Sequence, residues 1–592
     1  MQMFYQQIIK WLNETHDVNL MRETDPIVDI DVYNTGEETM LTGILKIIIQ
    51  ENDSKDINIK DSNILLHLLG KGAKINQPNA QRQLPLEIAV QNNGVGIVNT
   101  LLCLPKTTYS RGWDPVLNLQ ISIDEINSII QIVPEDNSQM RKLLIGHTLM
   151  IAAARNDVQQ VQKILLDNSH IEDLINTTNL AETALTIAAR YGCIDTVKLL
   201  LNNGASTQRY DSDEYIGRTA LSIAIENNQL EIVRFLLDNH HFSVDDSGAS
   251  VWGSALLSAC SCGNLNMVKV LITEYGADVN LDTYDGNYTT MSGSTPLTAA
   301  AYNGYHEIVE YLLEKGADPD QLDESEETSA ILFAGMEKHE KVFQILIDHG
   351  ADVLTPNENY YGLTPLACAA ANGLSSIVQT LITQHGADIH YTDADNQTVL
   401  IHAAMNGHTD IVQTLITQHG ADINHRDING QTALTRAVIE GHIDTAQMLV
   451  EQHGVDINHR DINNQTALIH AVMKGHTDIV DMLINRGADI KIEDRHLHNA
   501  LIHAVSRCNN ESHYPIIKML LEKSTSGEKV VKNISNHEMI DLLAEEANKN
   551  HLLISILLHS KNQLFEATIK SGAITGRIEI SERSLLSLIG SS

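Results

Sequence analysis

The chain has 592 residues, of which 43% are hydrophobic and only 4% are aromatic. Several conventional globular cores of this total length would use more large aromatic side chains, so the composition favours an array of small repeated units. The formal net charge of −36 repels a phosphate backbone and argues against nucleic acid as a partner.

The first 38 residues are expected to form a helical cap on the array. Their apolar side chains follow each other at roughly helical spacing, as a cap over the open end of a stack of repeats requires. These residues are Phe4, Ile8, Ile9, Trp11 and Leu12. The stretch holds no long apolar run, so we expect neither a signal peptide nor a membrane span here, and no other segment reaches membrane-spanning length.

Residues 39 to 523 are predicted to form the repeat array. Degenerate units are expected near Thr39 and near Asp114, where Asp114-Pro115-Val116-Leu117 stands at the place of a helix start. In the second of these units, Ser122 and Glu125 have the spacing of a capping box. Twelve clear units begin at Leu84, Thr148, Thr183, Thr219, Ser254, Thr295, Thr328, Thr364, Thr398, Thr432, Thr466 and Asn499.

The repeat is clearest in three near-identical units, which we call the consensus block. Their cap threonines, Thr398, Thr432 and Thr466, are 34 residues apart, and a fixed period in this range indicates stacked repeats. Within one unit, Thr432 has the chemistry of a helix N-cap. Gly441-His442 ends the first helix, and Gly454 follows the second helix where a left-handed residue is favoured. The polar stretch that follows is predicted to be a hairpin-like finger.

These units resemble the ankyrin repeat. The resemblance rests on helix starts, a glycine-histidine turn and a finger motif, which here read Thr295-Pro296-Leu297, Thr364-Pro365-Leu366, Gly407-His408, Gly475-His476 and Gly420-Ala421-Asp422-Ile423-Asn424. The resemblance implies an all-α ankyrin-repeat solenoid of helix-turn-helix units with short β-hairpin fingers, capped by helices at both ends. It also implies a protein-binding scaffold or adaptor that uses its concave face, without catalysis and without a cofactor.

The C-terminal part leaves the repeat period. Residues 524 to 573 are expected to form a helical region with one degenerate repeat, and residues 574 to 592 a tail. In this tail, Glu579, Glu582, Leu588 and Ile589 look like the loosely defined export signals of bacterial type IV secretion substrates. Ankyrin arrays are common among effectors that intracellular bacteria deliver into host cells, which favours such an effector over its alternative, a eukaryotic or viral cytoplasmic scaffold.

Apparent catalytic and metal motifs are interpreted as structural. His425-Arg426-Asp427 and His459-Arg460-Asp461 spell a kinase triplet but stand in fingers, without the asparagine and glycine-rich loop that a kinase needs. Most histidines recur once per unit, which favours hydrogen bonds to the finger backbone over metal ligation. We therefore predict no catalytic, cofactor or metal site. The alternative is an enzyme whose site lies in the flanks or in residues 103 to 147.

The binding surface is predicted to be aromatic and to lie in the middle of the array. In ankyrin-like units, positions just before the cap residue and seven or eight residues after it face the concave side. With Trp252 and two finger tyrosines added, this rule selects Tyr191, Tyr215, Trp252, Tyr284, Tyr288, Tyr302, Asn303, Tyr360 and Tyr361. In the consensus block the same rule selects polar residues that solvent satisfies, namely Gln397, Asn406, Gln431, Glu440, Gln465 and Lys474.

The expected partner is a protein, a host protein if the chain is an effector. The acidic charge favours a basic surface on that partner, although such charge also keeps an elongated monomer soluble. Six scattered cysteines without repeated CxxC spacing favour an intracellular location, which for an effector means the host cytoplasm.

Overall fold

The computed structural model describes residues 40–51, 65, 75, 77–92, 94–105, 115–117, 122–135, 137–167, 174–176, 182–207, 219–239, 242–245, 254–281, 294–323, 327–506 and 513–524. The expected N-terminal cap, Thr39, the C-terminal helical region beyond Ser524 and the tail lie outside these residues. The chain divides into two compact units at Asp318. The first unit holds the described residues up to Asp318 together with Asp323, and the second holds Pro319–Leu322 and the described residues from Glu327 onward.

In its described residues, the first unit consists of helices and one short strand pair. Its helices are α1 (Met40–Glu51), α2 (Pro85–Gln91), α3 (Val95–Leu101), α4 (Ile123–Ile132), α5 (Ser138–Ala154), α6 (Val158–Asp167), α7 (Ala184–Arg190), α8 (Ile194–Asn202), α9 (Ala220–Glu226), α10 (Leu230–Asp238), α11 (Ala255–Ser261), α12 (Leu265–Tyr275), α13 (Pro296–Tyr302) and α14 (His306–Glu314). The strands β1 (Cys103–Pro105) and β2 (Pro115–Leu117) pair antiparallel, with Leu104 opposite Val116.

The second unit continues the same alternation of short helices. It comprises α15 (Ala330–Met336), α16 (Glu340–Asp348), a 3₁₀ turn (Glu358–Tyr360), α17 (Pro365–Asn372), α18 (Ser375–His385), α19 (Val399–Met405), α20 (Thr409–Thr417), α21 (Ala433–Glu440), α22 (Ile443–Glu451), α23 (Ala467–Lys474), α24 (Thr477–Asn485), α25 (Ala500–Ser506) and α26 (His513–Ser524). Both units are therefore stacks of helix pairs, and none of the helices described here is long and apolar enough to cross a membrane.

One repeat shows why these residues stack. In α13 the six residues from Pro296 to Ala301 are all buried, because their small side chains allow the neighbouring first helices to approach closely. The returning helix α14 buries only one stripe, Ile308, Val309, Leu312 and Leu313, and exposes its other face. A single pair cannot cover the alanine-rich helix, so each repeat depends on the next for its core.

The helix starts confirm most of the predicted caps. A serine or threonine oxygen accepts a backbone N–H three residues on at Thr183, Thr219, Ser254, Thr295, Thr364, Thr432 and Thr466. Asn499 accepts the N–H of Ile502 at 3.1 Å. Thr398 makes no such bond. The glycines that end the helices have the predicted left-handed backbone, with φ of 83° at Gly441 and 92° at Gly454.

Two predicted starts in the eroded region are wrong. Pro115-Val116-Leu117 is strand β2 rather than the beginning of a helix, as suits a proline followed by a β-branched residue at a strand edge. Thr148 lies inside the 17-residue helix α5 and donates its hydroxyl to the Leu144 carbonyl at 2.8 Å. The residues from Gln139 to Ile145 are good helix formers or apolar and do not make a polar finger, so the helix runs through Thr148.

The capping box predicted in this region is confirmed. The hydroxyl oxygen of Ser122 accepts the Glu125 N–H at 3.1 Å, and the Glu125 carboxylate accepts the Ser122 N–H at 2.7 Å. Helix α4 therefore begins where the sequence predicts, although the unit that contains it opens with a strand.

Candidate protein-binding surface

Two predicted tyrosines of the first unit are described, and Tyr191 and Tyr302 lie three repeats apart. Tyr191 follows α7 with 40% of its surface exposed, and burial is the main reason that its pKa is raised. Tyr302 ends α13 and is half-buried. Asn227 and Cys262 occupy the position of Tyr191 in the intervening repeats. The first unit therefore does not gather Tyr191 and Tyr302 into one aromatic cluster.

Asn303 is part of the helix end. Its side-chain amide donates at 2.8 Å to the Ala299 carbonyl, which also accepts the backbone N–H of Asn303 at 3.3 Å. The side-chain amide of Asn303 is thus engaged at the helix end, although Asn303 is still partly exposed.

The two tyrosines of the second unit belong to a finger instead of a helical face. Tyr360 ends the 3₁₀ turn at 39% exposure, and Tyr361 follows it at 71% with a left-handed φ of 57°. Their place before Thr364 led to their selection as concave positions, but the finger between Asn357 and Leu363 is long enough to hold them at its tip. Tyr215, Trp252, Tyr284 and Tyr288 lie outside the described residues.

The finger tips of the second unit are joined by backbone hydrogen bonds. The N–H of Ala394 donates to the Tyr361 carbonyl at 2.8 Å, and the N–H of Ile428 donates to the Asp395 carbonyl at 2.8 Å. The next two joins run from Ile462 to Asn429 and from Arg495 to Asn463, both at 3.0 Å. Because each tip is fixed to its neighbours, the residues at the tips form a continuous and ordered edge.

This edge carries exposed apolar side chains. Tyr361, Ile428, Ile462 and Leu497 are 71%, 60%, 47% and 57% exposed, and we call these four residues the finger-tip row. Arg426, Arg460 and Arg495 are exposed on the same fingers. Exposed apolar residues on ordered fingers, flanked by charge, are typical of a protein-binding surface.

In the fingers that follow the one of Tyr361, a buried aspartate carboxylate accepts hydrogen bonds from the finger backbone. Asp461 accepts the N–H groups of Asn463 and Gln465 through Oδ1, at 2.8 and 2.9 Å, and Nε2 of His470 lies 2.8 Å from its Oδ2. Asp393 repeats this arrangement with His402. At Asp427 the partner is Arg436, whose Nε donates at 2.7 Å. The aspartates of the two kinase-like triplets are therefore fully engaged in structural hydrogen bonds.

The contacts lower the pKa of two of these carboxylates, those of Asp461 and Asp393. Burial alone raises the pKa of Asp461, but hydrogen bonds from His470, Gln465 and Asn463 outweigh it and hold the pKa below its usual range. The same balance lowers the pKa of Asp393. Because the pKa is lower in the folded than in the unfolded chain, this stabilisation is complete above about pH 4 and is lost as the pH falls through the folded-state value.

The repeated histidines have the predicted structural role, with two kinds of acceptor. In the fingers, Nε2 of His425 lies 3.0 Å from the Asn396 carbonyl and Nε2 of His459 lies 2.9 Å from the Gly430 carbonyl. These two contacts are hydrogen bonds to finger backbone, as expected. For the turn histidines this expectation is wrong, because they reach the first helix of the preceding repeat, as His408 does to Ala371 and His442 to Met405, both at 3.0 Å.

One group of side chains lies close enough to hold a metal ion. Among the described residues, Asp494, His498 and His503 each offer one ligand atom within 4.8 Å of the other two.

Sequence reasoning missed the finger-tip row because the fingers were interpreted as hydrophilic. The signal was the isoleucine in Asp427-Ile428-Asn429 and again in Asp461-Ile462-Asn463. The expectation of solvated polar side chains in the consensus block is wrong at Gln397, which is only 8% exposed.

The comparisons with known proteins agree with this architecture. Residues 125–211, 149–248, 208–283, 247–323, 317–393, 366–461 and 453–534 match the family model for ankyrin repeats (3 copies). The chain is 32% identical over 254 residues to the B-cell lymphoma 3 protein homolog of Mus musculus, which is 43% of this chain and 47% of that protein. It is 26% identical over 316 residues to ankyrin repeat protein nuc-2 of Neurospora crassa, 52% of this chain and 22% of that protein.

A third relative covers a similar share of the chain. Protein fem-1 homolog A-like of Mus musculus is 32% identical over 248 residues, 40% of this chain and 36% of that protein. The chain thus spans less than half the length of each of these curated relatives.

Proposed function

The chain belongs to the ankyrin-repeat family, and from this premise we propose that it is a protein-binding scaffold whose second unit contacts its partner through the finger-tip row. Protein binding itself follows from the repeats. The observation that carries the choice of surface is the line of four apolar side chains on fingers whose backbones are joined to each other.

The row suits a partner with an apolar strip. A side chain at the surface contributes to binding when it is already held in place, because less conformational entropy is then lost on association. The hydrogen bonds between tips supply that order, and buried aspartates such as Asp461 hold the base of the later fingers. The exposed arginines beside the row suit acidic residues at the rim of the partner's strip, so the acidic charge of the whole chain does not define this contact.

The test compares three variants of the full chain as bait for partners from a cell lysate and then in a direct affinity measurement with the recovered partner. Tyr361→Asn with Ile428→Ser and Ile462→Ser is expected to weaken binding at least about tenfold, roughly 1.4 kcal/mol. Asparagine tolerates the left-handed backbone at the first position.

Two controls make this test specific. Leu166→Ser with Ile132→Ser removes exposed apolar side chains of the first unit, which are 76% and 48% exposed, and should leave the affinity unchanged. Tyr191→Ala with Tyr302→Ala tests the surface first expected from the sequence. Full affinity in the row variant, together with loss in either control, would show that the contact lies in the first unit.

We propose binding without catalysis, in a reducing intracellular setting and as a monomer. Cys193, Cys260 and Cys368 are buried free thiols, and burial raises the pKa of each, to about 12 for Cys368, so they stay protonated and unreactive. The alternative is an enzyme with its active site in residues 103 to 147. The described part of this segment forms the strand pair β1–β2, helix α4 and the first part of helix α5.

Delivery into a host cell is a finer hypothesis that depends on the tail motif around Glu579, Glu582, Leu588 and Ile589. These residues lie outside the described part, and the relatives reported above come from a mouse and a fungus. Deleting residues 573 to 592 should abolish delivery in a translocation assay and leave the melting temperature nearly unchanged. Undiminished delivery of the shortened chain would remove the hypothesis.

A further inference from the structure

In the last finger of the described array, one of three side chains around the buried aspartate differs from those of two earlier fingers. Asp494, His498 and His503 stand where the preceding fingers have Asp461, Gln465 and His470, and, earlier, Asp393, Gln397 and His402. The Asp–His pair is common to all three fingers, with a distance of 2.8 Å between the histidine Nε2 and the carboxylate Oδ2 in each. The second histidine is specific to the last of the three.

The pair is already arranged as two metal ligands would be. The Asp494 side chain is fully buried and that of His503 is 9% exposed. Oδ1 of Asp494 accepts the N–H groups of His496 and His498 at 2.8 and 2.9 Å, which fixes the carboxylate plane and leaves Oδ2 toward His503. The Gln465 amide lies at 3.5 Å from the same Oδ2.

His498 brings a third ligand atom from the solvent side. Its ring centroid is 5.4 Å from that of His503, at an interplanar angle of 78°. The residue is only partly buried, so its side chain is able to move. The exposed ring of His496 is further out, with its centroid 6.1 Å from that of His498.

We propose that Asp494, His498 and His503 bind a zinc ion. Two imidazole nitrogens and one carboxylate oxygen are a donor set that zinc accepts, with a water in the fourth position. Tetrahedral bonds of about 2.0 Å require ligand atoms about 3.3 Å apart. The Asp–His pair needs to open slightly, and the His498 ring needs to swing inward by roughly 1.5 Å. The two backbone N–H groups on Oδ1 then act as the outer hydrogen bonds that orient a ligating carboxylate.

Binding changes the tautomer of His503. In the ion-free structure Nε2 faces a carboxylate oxygen and is the donor of that hydrogen bond. Zinc takes a lone pair at Nε2, so the proton of the neutral imidazole moves to Nδ1. Zinc binding therefore requires no redox partner and no charged group other than the ion and its ligands.

The test uses the full chain and Zn²⁺ alone, by calorimetric titration and by equilibrium dialysis. His498→Gln places in this finger the residue that its sister fingers carry, so it is expected to fold and to lose one equivalent of bound zinc, with affinity at this site reduced at least about tenfold. His496→Gln, a histidine two positions away that lies outside the proposed set, is expected to change the affinity less than about threefold.

A gain of binding tests the same geometry at a distance. Gln397→His adds an imidazole beside the Asp393–His402 pair, three repeats from the native site, and is expected to raise the zinc stoichiometry by one equivalent. Equal zinc binding by wild type and His498→Gln would overturn the proposal, and so would loss of the ion on His496→Gln alone. Cobalt substitution adds a spectroscopic readout, since tetrahedral Co²⁺ absorbs strongly and its spectrum should vanish with His498→Gln.

Discussion

Replacing Asp461 by alanine is expected to lower the stability of its finger and of helix α23 by about 3 kcal/mol. The carboxylate is 1% exposed and accepts hydrogen bonds from two backbone N–H groups and from His470. Alanine removes the acceptor and leaves these donors without it in a site that water reaches poorly, which is the costly way to break a buried pair.

Hydrogen exchange of the α23 amides measures this effect, because a repeat array opens locally and one unfolding temperature does not describe it. A loss of about 3 kcal/mol corresponds to roughly a hundredfold lower protection. The control is Asp456→Ala in the same finger, whose side chain is 55% exposed and whose loss should cost less than about 0.5 kcal/mol. Equal effects of the two variants would contradict the role given to burial.

The pH dependence of stability distinguishes the loss of a charged hydrogen-bond acceptor at Asp461 from a simple loss of packing. The pKa of Asp461 is lowered in the folded chain, so wild type loses the contribution of the charged carboxylate below about pH 4. The difference in stability between wild type and Asp461→Ala should therefore decrease as the pH falls from 5 to 3. A stability difference that stays constant over this range would indicate that the charge of Asp461 is unimportant.

Local chemistry made most of the fold predictable from sequence. The cap at Thr432, the turn at Gly441 and the left-handed Gly454 are each decided by residues within a few positions. The all-α repeat fold follows from repeating them. Prediction failed at Thr148 because a cap needs a polar segment before it, and the helix-forming residues there extend α5 through the threonine. It failed at Pro115 because the pairing with Cys103–Pro105 is not visible in either segment alone.

The candidate site was less predictable, because it depends on what covers each side chain. Position within the repeat selected Tyr302 and Tyr361 equally, whereas the structure leaves the first half-buried in its unit and exposes the second on a finger. Ile428 was overlooked because a single isoleucine in a polar finger gives no periodic signal. Its backbone N–H is bonded to Asp395 of the preceding finger, while its side chain is 60% exposed.

In one repeat of the second unit, a phenylalanine and a glycine occupy two core positions where the next repeat has a valine and an alanine. Phe343 is fully buried in α16, at the fourth position of the helix, where α18 and α20 have Val378 and Val412. Gly335 in α15 stands where α17 has Ala370. A Cβ on Gly335 would lie 3.0 Å from Cε2 of Phe343 and 2.7 Å from Sγ of Cys368. The glycine therefore makes room for the ring.

Phe343→Ala is accordingly expected to destabilise this repeat by about 4 kcal/mol, since truncating a fully buried phenylalanine leaves a cavity that rigid neighbours fill incompletely. Protection of the α16 amides against exchange should fall by nearly a thousandfold. The control is Phe235→Ala in α10, where the ring is only half-buried and lies 5.6 Å from Nζ of Lys198. Its cost should be less than about 2 kcal/mol.

A double-mutant cycle tests whether glycine and phenylalanine compensate each other. Phe343→Val alone should cost about 2 kcal/mol through its cavity. Gly335→Ala alone should cost about 1 kcal/mol, because overpacking against Phe343 and Cys368 outweighs the better helix propensity of alanine. Together they recreate the alanine–valine combination of α17 and α18, so the double variant should be more stable than the sum of the two costs predicts by at least about 1 kcal/mol. Strict additivity would mean that Gly335 is small for the sake of Cys368 alone.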